Sequence, residues 1–401
     1  MPAPERNQRA AGLDGLRGLA ALTVLTFHVW LYHFPDPANV RRDSFGDYVA
    51  SDLRLGLILF FVLSGYLLYR GFARAALRRE GMVDLRSYVA RRAARILPAY
   101  YIALVGTFAL LWDAKGVTGL RLPDESDLPL FAIFAQNYNP HTMMSFNPVT
   151  WTLCVEILFY ALLPLLGLLA YRFFAGSARR QLGMLLALVA TGVFWNWLVY
   201  SQGWNMVASK ALIAYLPYFA AGMLVALLAE WRLARTGEPL RFGPLATAAI
   251  ALAGFGAVVA NSLWHISDAG IRLQAINLTM RDLPAGTGFG LLVLAVVAGT
   301  GPAIAWSRFR PLVAVGVVSY ALYLWHLPLM LFEERIGAVP GPLPLRWIAL
   351  LVPSLAVAAA SWLLVEKRVL AKVHRVDRRR RERRTKPTST GRPALESHAA
   401  P

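Results

Sequence analysis

The chain has 401 residues, 57% hydrophobic and 16% charged, with a mean hydropathy of +0.47 and a formal net charge of +18. Apolar runs of about 20 residues, the length that crosses a bilayer, recur along it; this excludes an ordinary water-soluble domain and predicts an all-α polytopic membrane protein. The positive residues fall between the runs and in the C-terminal tail, which favours an anionic membrane leaflet over nucleic acid as their partner.

The first predicted span is Gly12–Phe34. Arg6 and Arg9 precede it as in a signal peptide, but no small-x-small cleavage pattern follows before the polar stretch 32–52, so it reads as a retained helix. Nine more spans follow at Leu53–Tyr69, Leu97–Trp112, Val149–Tyr171, Leu182–Tyr200, Lys210–Ala229, Gly243–Ala260, Ala285–Ala305, Pro311–Phe332 and Leu345–Val365. Arginine is dense on alternate connections: eight between Arg70 and Arg95, three in Arg172–Arg180, three in Arg232–Arg241, then Arg308 and Arg310. The opposite connections carry Asp36, Asp43, Asp47 and Asp52, then Asp124, Glu125 and Asp127. The positive-inside rule therefore predicts both termini in the cytoplasm, in agreement with an even helix count.

Past Glu366 the sequence turns polar and basic, with no periodic apolar face. Residues 1–370 are expected to form one membrane-embedded domain, and 371–401 a basic cytoplasmic tail, disordered beyond its first turns and held near anionic lipid. No soluble domain and no convincing internal repeat is evident, so any chemistry is expected inside the membrane part.

That chemistry begins in the first helix, where ten residues separate Arg17 from His28. Eleven steps give three turns plus about 20°, so the two side chains share one face, about 16 Å apart along the axis. Asp14, three residues before Arg17, is placed to pair with it. Ionisable groups in a bilayer are costly and usually face protein or a water-filled path; the plainer alternative is a boundary arginine and a histidine bonded to a neighbouring helix. In "FNPVTWTLCVEILFY" Asn147 is a plausible N-cap and Pro148 a first helical residue. Glu156 then lies about two turns in, with Thr152 and Tyr160 one turn either side. It is expected at the depth of His28 and beside it, or else in a purely structural contact. Cys154 points about 200° away from Glu156 and is a poor nucleophile candidate.

In "SYALYLWHLPL" Ser319, Tyr323 and His326 follow the spacing of one helix face, although Tyr and Trp also collect at membrane interfaces. Ser64-Gly65 suits close helix packing or a hydroxyl or backbone contact to a bound substrate. Arg91, Arg92 and Arg95 form a cluster just before Leu97-Pro98; they are either a positive-inside flank or forks for phosphate oxygens. Replacing Arg74 with alanine is expected to be nearly silent compared with replacing Arg95. There is no glycine-rich phosphate loop or metal-ligand spacing, and Cys154 is the sole cysteine, so no metal site is expected.

These stretches together resemble the acyltransferase-3 family of integral membrane acyltransferases. The resemblance runs from Leu13 to Glu366 through five segments in order: the Arg17-to-His28 helix, "FFVLSGYLL" at Phe60–Leu68, "RRAARILPAYY" at Arg91–Tyr101, "WTLCVEILFY" from Trp151 to Tyr160, and "SYALYLWHLPL" at Ser319–Leu329. It carries Arg92 and Arg95 onto the family's Arg-x-x-Arg pattern. It implies a ten-helix layout in a bacterial plasma membrane and transfer of an acyl group from acyl-CoA, commonly acetyl-CoA, to a hydroxyl of a carbohydrate or another acceptor such as a macrolide.

No permanently bound cofactor is expected. Acyl-CoA, a hydroxyl-bearing acceptor and membrane lipid are the expected partners. In that scheme Arg17, Arg92 and Arg95 hold the coenzyme phosphates, His28 is the general base and Glu156 orients it or binds the acceptor. Asp14, Ser64, Trp151, Tyr160, Ser319, Tyr323 and His326 support them. The rival reading is a proton-coupled exporter or flippase with His28, Glu156 and His326 as relay groups.

Overall fold

The computed structural model describes residues 3–34, 40, 42–114, 117, 120–266, 273–338 and 341–385. Asp36 of the acidic connection, part of the 114–145 connection and the tail beyond 385 lie outside the described residues. Ten helical stretches are long and apolar enough to cross a membrane, and no strand occurs among the described residues. The protein is an all-α polytopic membrane protein.

Its main helices are α1 (Ala3–Leu31), α2 (Gly56–Arg78), α3 (Leu85–Leu111), α4 (Trp151–Phe173), α5 (Ala178–Ser201), α6 (Leu212–Thr236), α7 (Pro244–Ile266), α8 (Leu283–Ala298), α9 (Arg310–Arg335), α10 (Leu343–Ser361) and α11 (Lys367–Thr385). They overrun the predicted apolar spans because a helix continues into the headgroup region, where polar side chains are solvated while the backbone remains bonded to itself. Helix α3 therefore begins at Leu85, capped by the Asp84 carboxylate on the N–H groups of Arg86 and Ser87. Arg91, Arg92 and Arg95 accordingly sit within the helix, not on a flank before it, and Pro98 is internal.

The tail also departs from expectation. A π-turn at Trp362–Glu366 leads into α11, which stays helical to Thr385. Its Asp377 accepts from Arg91 Nη1 at 2.7 Å and from Ser87 Oγ at 2.9 Å. An acid within a run of arginines thus ties the tail helix to α3.

Several helix pairs approach closely enough to need glycine. Where α2 meets α6, a Cβ on Gly222 would lie 1.8 Å from the Val62 carbonyl oxygen, and one on Gly65 2.1 Å from that of Phe219. Gly316 of α9 stands likewise against the Asp14 carbonyl of α1, at 1.8 Å. Such contacts replace the hydrophobic drive that lipid removes between helices. One buried cluster centres on α2, α4, α6 and α8, the other on α1, α3, α9 and α10. Leu57 and Phe60 pack against both, so α2 lines the seam between them.

Candidate active site: three cavities along one seam

Along this seam lie three cavities, each sharing wall residues with the next. The first, of about 570 Å³, is lined by Arg9, Arg17, Arg70, Arg74 and Arg95, with Asp14 and Glu230. Glu230 accepts from Arg70 Nε at 2.6 Å and from Arg74 Nε at 2.9 Å. Arg74 is therefore part of this mouth. Asp14 and Arg17 face the same space without closing into an ion pair among the described residues.

Arg17, Arg95 and Leu67 also wall the second cavity, of about 250 Å³. Here Arg92 from α3, Ser64 from α2, Glu156 and Tyr160 from α4 and Ser319 from α9 converge. The Glu156 carboxylate accepts from Ser64 Oγ at 2.6 Å and from the Tyr160 hydroxyl, one turn along α4. Ser64 thus bonds Glu156 while Gly65 makes the close backbone contact to Phe219, which is the packing reading of that dipeptide. Ser319 Oγ is buried with no partner among the described residues. Arg91 does not join this group, because it is engaged with Asp377.

Leu57 and Tyr323 line both the second and the third cavity and form the partition between them. The Tyr323 hydroxyl is pinned at the start of α4, 3.1 Å from the Val149 carbonyl and 2.9 Å from Thr152 Oγ1. Beyond it the third cavity, of about 270 Å³, contains His28, Tyr32, Arg54, Trp151, Lys210, Tyr215, Arg281 and Asp282. Burial pushes the Tyr32 phenol up to about 12, so it remains a neutral donor there.

Glu156 and His28 consequently do not share a cavity, contrary to the expectation from the sequence. A 3-10 turn, Pro148–Thr150, precedes α4, and it is Trp151 that reaches the depth of His28. Glu156 lies five residues further along, about 7.5 Å deeper at 1.5 Å per residue. Asn147 is not the expected side-chain cap either; its amide donates to the Leu324 carbonyl of α9 at 3.1 Å.

The neighbour that His28 does have is His326. His326 Nε2 lies 3.1 Å from His28 Nδ1, His326 Nδ1 lies 3.1 Å from the Leu322 carbonyl, and His28 Nδ1 lies 2.9 Å from the Val24 carbonyl. A carbonyl only accepts, so each Nδ1 must carry its hydrogen. For neutral rings, His326 Nε2 is then a lone pair that shares the His28 Nδ1–H, and His28 Nε2 is left as an unprotonated acceptor in the third cavity. The same periodicity that put Ser319, Tyr323 and His326 on one face distributes them along the seam: Ser319 to the second cavity, Tyr323 to the partition, His326 behind His28.

Arg54, Lys210, Tyr215, Arg281 and Asp282 lie outside the five segments that carry the family resemblance. The dipeptide Arg281-Asp282 directly before an apolar run, and Arg54 inside one, were the available signals.

Residues 10–363 match the family profile described as the acyltransferase domain, and the chain belongs to the acyltransferase-3 family. It is 27% identical over 396 residues to Nodulation protein 10 of Rhizobium leguminosarum bv. viciae, covering 90% of this chain and 94% of that one. It is 24% identical over 347 residues to O-acetyltransferase OatA of Staphylococcus aureus, covering 83% of this chain and 52% of OatA. No solved structure matches the chain. Family membership makes this protein a multi-pass membrane acyltransferase and weighs against the exporter reading.

Proposed function

We propose that the protein transfers an acyl group, acetyl in the first instance, from a cytosolic acyl-CoA to a hydroxyl of an acceptor held on the far side of the Leu57–Tyr323 partition, in a bacterial plasma membrane with both chain termini cytoplasmic. The observation that carries this reading is the succession of three adjoining cavities, each sharing wall residues with the next, from an arginine-lined mouth to His28. Arginine forks match phosphate oxygens, so Arg17, Arg70, Arg74 and Arg95 suit the nucleotide end of the coenzyme. Arg92 lies further in, where the pantetheine arm would run.

His28 Nε2 takes the proton of the acceptor hydroxyl as its oxygen attacks the thioester carbon. The new C–O bond forms, the C–S bond breaks, and the coenzyme leaves as the thiol once a proton is returned to sulfur. His326 holds His28 in the tautomer this requires. Glu156, one cavity away from His28, acts on the donor side by holding Ser64 and Tyr160 along the arm's path. The apolar walls exclude bulk water and limit thioester hydrolysis.

The test is single-turnover transfer from labelled acetyl-CoA with purified protein in nanodiscs, with thermal stability and acetyl-CoA binding measured on the same preparations. His28→Ala is expected to abolish transfer while binding and folding persist. A well-folded His28→Ala protein transferring at the wild-type rate would remove His28 from the mechanism; acceptor flux with no dependence on acetyl-CoA would overturn the reading itself.

A further inference from the structure

The third cavity has a charge imbalance that the transfer reaction alone does not require. Three cations line it, Arg54, Lys210 and Arg281, against a single carboxylate, Asp282. That carboxylate is already matched. Arg54 grips it with two bonds, Nη1 at 2.7 Å and Nη2 at 2.9 Å, and Asn261 Nδ2 stands at 3.4 Å. The Lys210 ammonium has no hydrogen bond or ion pair to any described residue; it rests over the Trp151 ring, 4.0 Å from the centroid.

The hydrogen bonds of Arg281 all go to neutral groups, although the Asp282 carboxylate on the next residue acts on it through space. It donates to the Ser209 carbonyl at 3.0 Å, to Asn196 Oδ1 at 3.3 Å and to the Tyr215 hydroxyl at 3.1 Å, and its guanidinium lies 5.0 Å from the Tyr215 ring. Among the described residues no carboxylate comes within 4.0 Å of either Lys210 or Arg281. The Arg281 backbone is also in a conformation that side-chain-bearing residues avoid, with φ of +47° and ψ of −127°. Strain of that kind persists where surrounding contacts enforce it. Two cations in an apolar enclosure, one anchored and aimed by its neighbours and the other with all three donors unspent, are costly without an anionic guest.

We infer that the acceptor site is an oxyanion site: the acceptor carries a carboxylate or phosphate group that seats between Lys210 and Arg281 and presents a nearby hydroxyl to His28. The inference rests on the proposed acyl transfer for the role of the hydroxyl, but the anion site can be read independently of it. Trp151 and Tyr215, with rings 5.5 Å apart, supply an aromatic wall against which a ring-shaped polyol can lie.

The experiment compares three probes with the same sugar ring, methyl β-glucoside, methyl β-glucuronide and methyl β-glucoside 6-phosphate. Binding to the protein in nanodiscs is followed by saturation-transfer NMR, and acetyl transfer to each is measured alongside. The two anionic probes are expected to bind roughly tenfold more tightly than the neutral one at low salt, with the advantage shrinking as salt is raised. The carboxylate and phosphate arms show which oxyanion fits better. Lys210→Met should bring the ratio close to one. Arg281→Gln should act in the same direction, and Lys210→Met carries the test if loss of Arg281 unfolds the protein. Indistinguishable binding of the three probes, absence of binding included, or a preference that survives Lys210→Met, would overturn the inference. Charge-dependent binding with no transfer to any probe would leave the anion site standing and count against the transferase reading alone.

Discussion

His326 Nε2 stands 3.1 Å from His28 Nδ1, across the contact between α9 and α1. Because Leu322 and Val24 offer only carbonyl oxygens to the two Nδ1 atoms, the pair has one hydrogen arrangement for neutral rings, and it exposes the basic nitrogen of His28 to the third cavity.

His326→Ala is therefore expected to lower the transfer rate on the order of 10²-fold while acyl-CoA affinity holds, since a wrongly oriented or wrongly protonated base loses proton transfer and not cofactor binding. His326→Gln, whose amide can still meet His28 Nδ1, should recover part of the rate. The check is the split between kcat and KM, together with the pH profile of kcat, which a purely structural defect would not displace.

Arg95 lines both the mouth and the second cavity, whereas Arg91, four residues earlier on the same helix, is spent on Asp377. Arg95→Ala should raise the apparent KM for acyl-CoA roughly tenfold with a smaller change in kcat, because a phosphate contact remote from the reacting carbon contributes uniform binding. Arg74→Ala, at the same mouth, should produce a smaller rise in KM. Arg91→Ala should leave KM alone and instead release α11, read as faster proteolysis of the tail helix. Equal KM effects at 91 and 95 would reduce the segment to a general electrostatic anchor.

Tyr323 closes the partition through its bonds to Val149 and Thr152. Tyr323→Phe removes them, each bond being worth about 1 kcal/mol, so acceptor-independent release of free CoA from acetyl-CoA should rise about fivefold as water gains the second cavity. Thiol titration in the absence of acceptor measures this directly. An unchanged rate of release would mean that the ring alone, not its hydroxyl, seals the passage.

Gly222→Ala places a Cβ 1.8 Å from the Val62 carbonyl and should force α6 away from α2, costing about 1–3 kcal/mol. Gly183, on α5 with open space around its Cβ position, is the comparator, and Gly183→Ala should be neutral or stabilising. Unfolding of both variants in the same detergent provides the comparison.

The amino-acid sequence by itself determined the ten membrane helices, because a bilayer demands long apolar segments and composition reports them directly. It also determined that Arg17 and His28 share a face and that Ser319, Tyr323 and His326 form a stripe, since both follow from 3.6 residues per turn within one helix. Tertiary structure alone decided how those faces meet. Intrahelical spacing says nothing about the depth or rotation of one helix against another, which here follows from glycine-mediated contacts and the 3-10 turn before α4. That is why Glu156 falls beside Ser64 and the arginines, away from His28, and why His326 is the residue that His28 meets. The tail helix is tied to α3 by a tertiary ion pair, Arg91 with Asp377, invisible to periodicity in a run of arginines. Lys210 and Arg281, 71 positions apart, become a pair only because the ends of α6 and α8 fold over the same cavity.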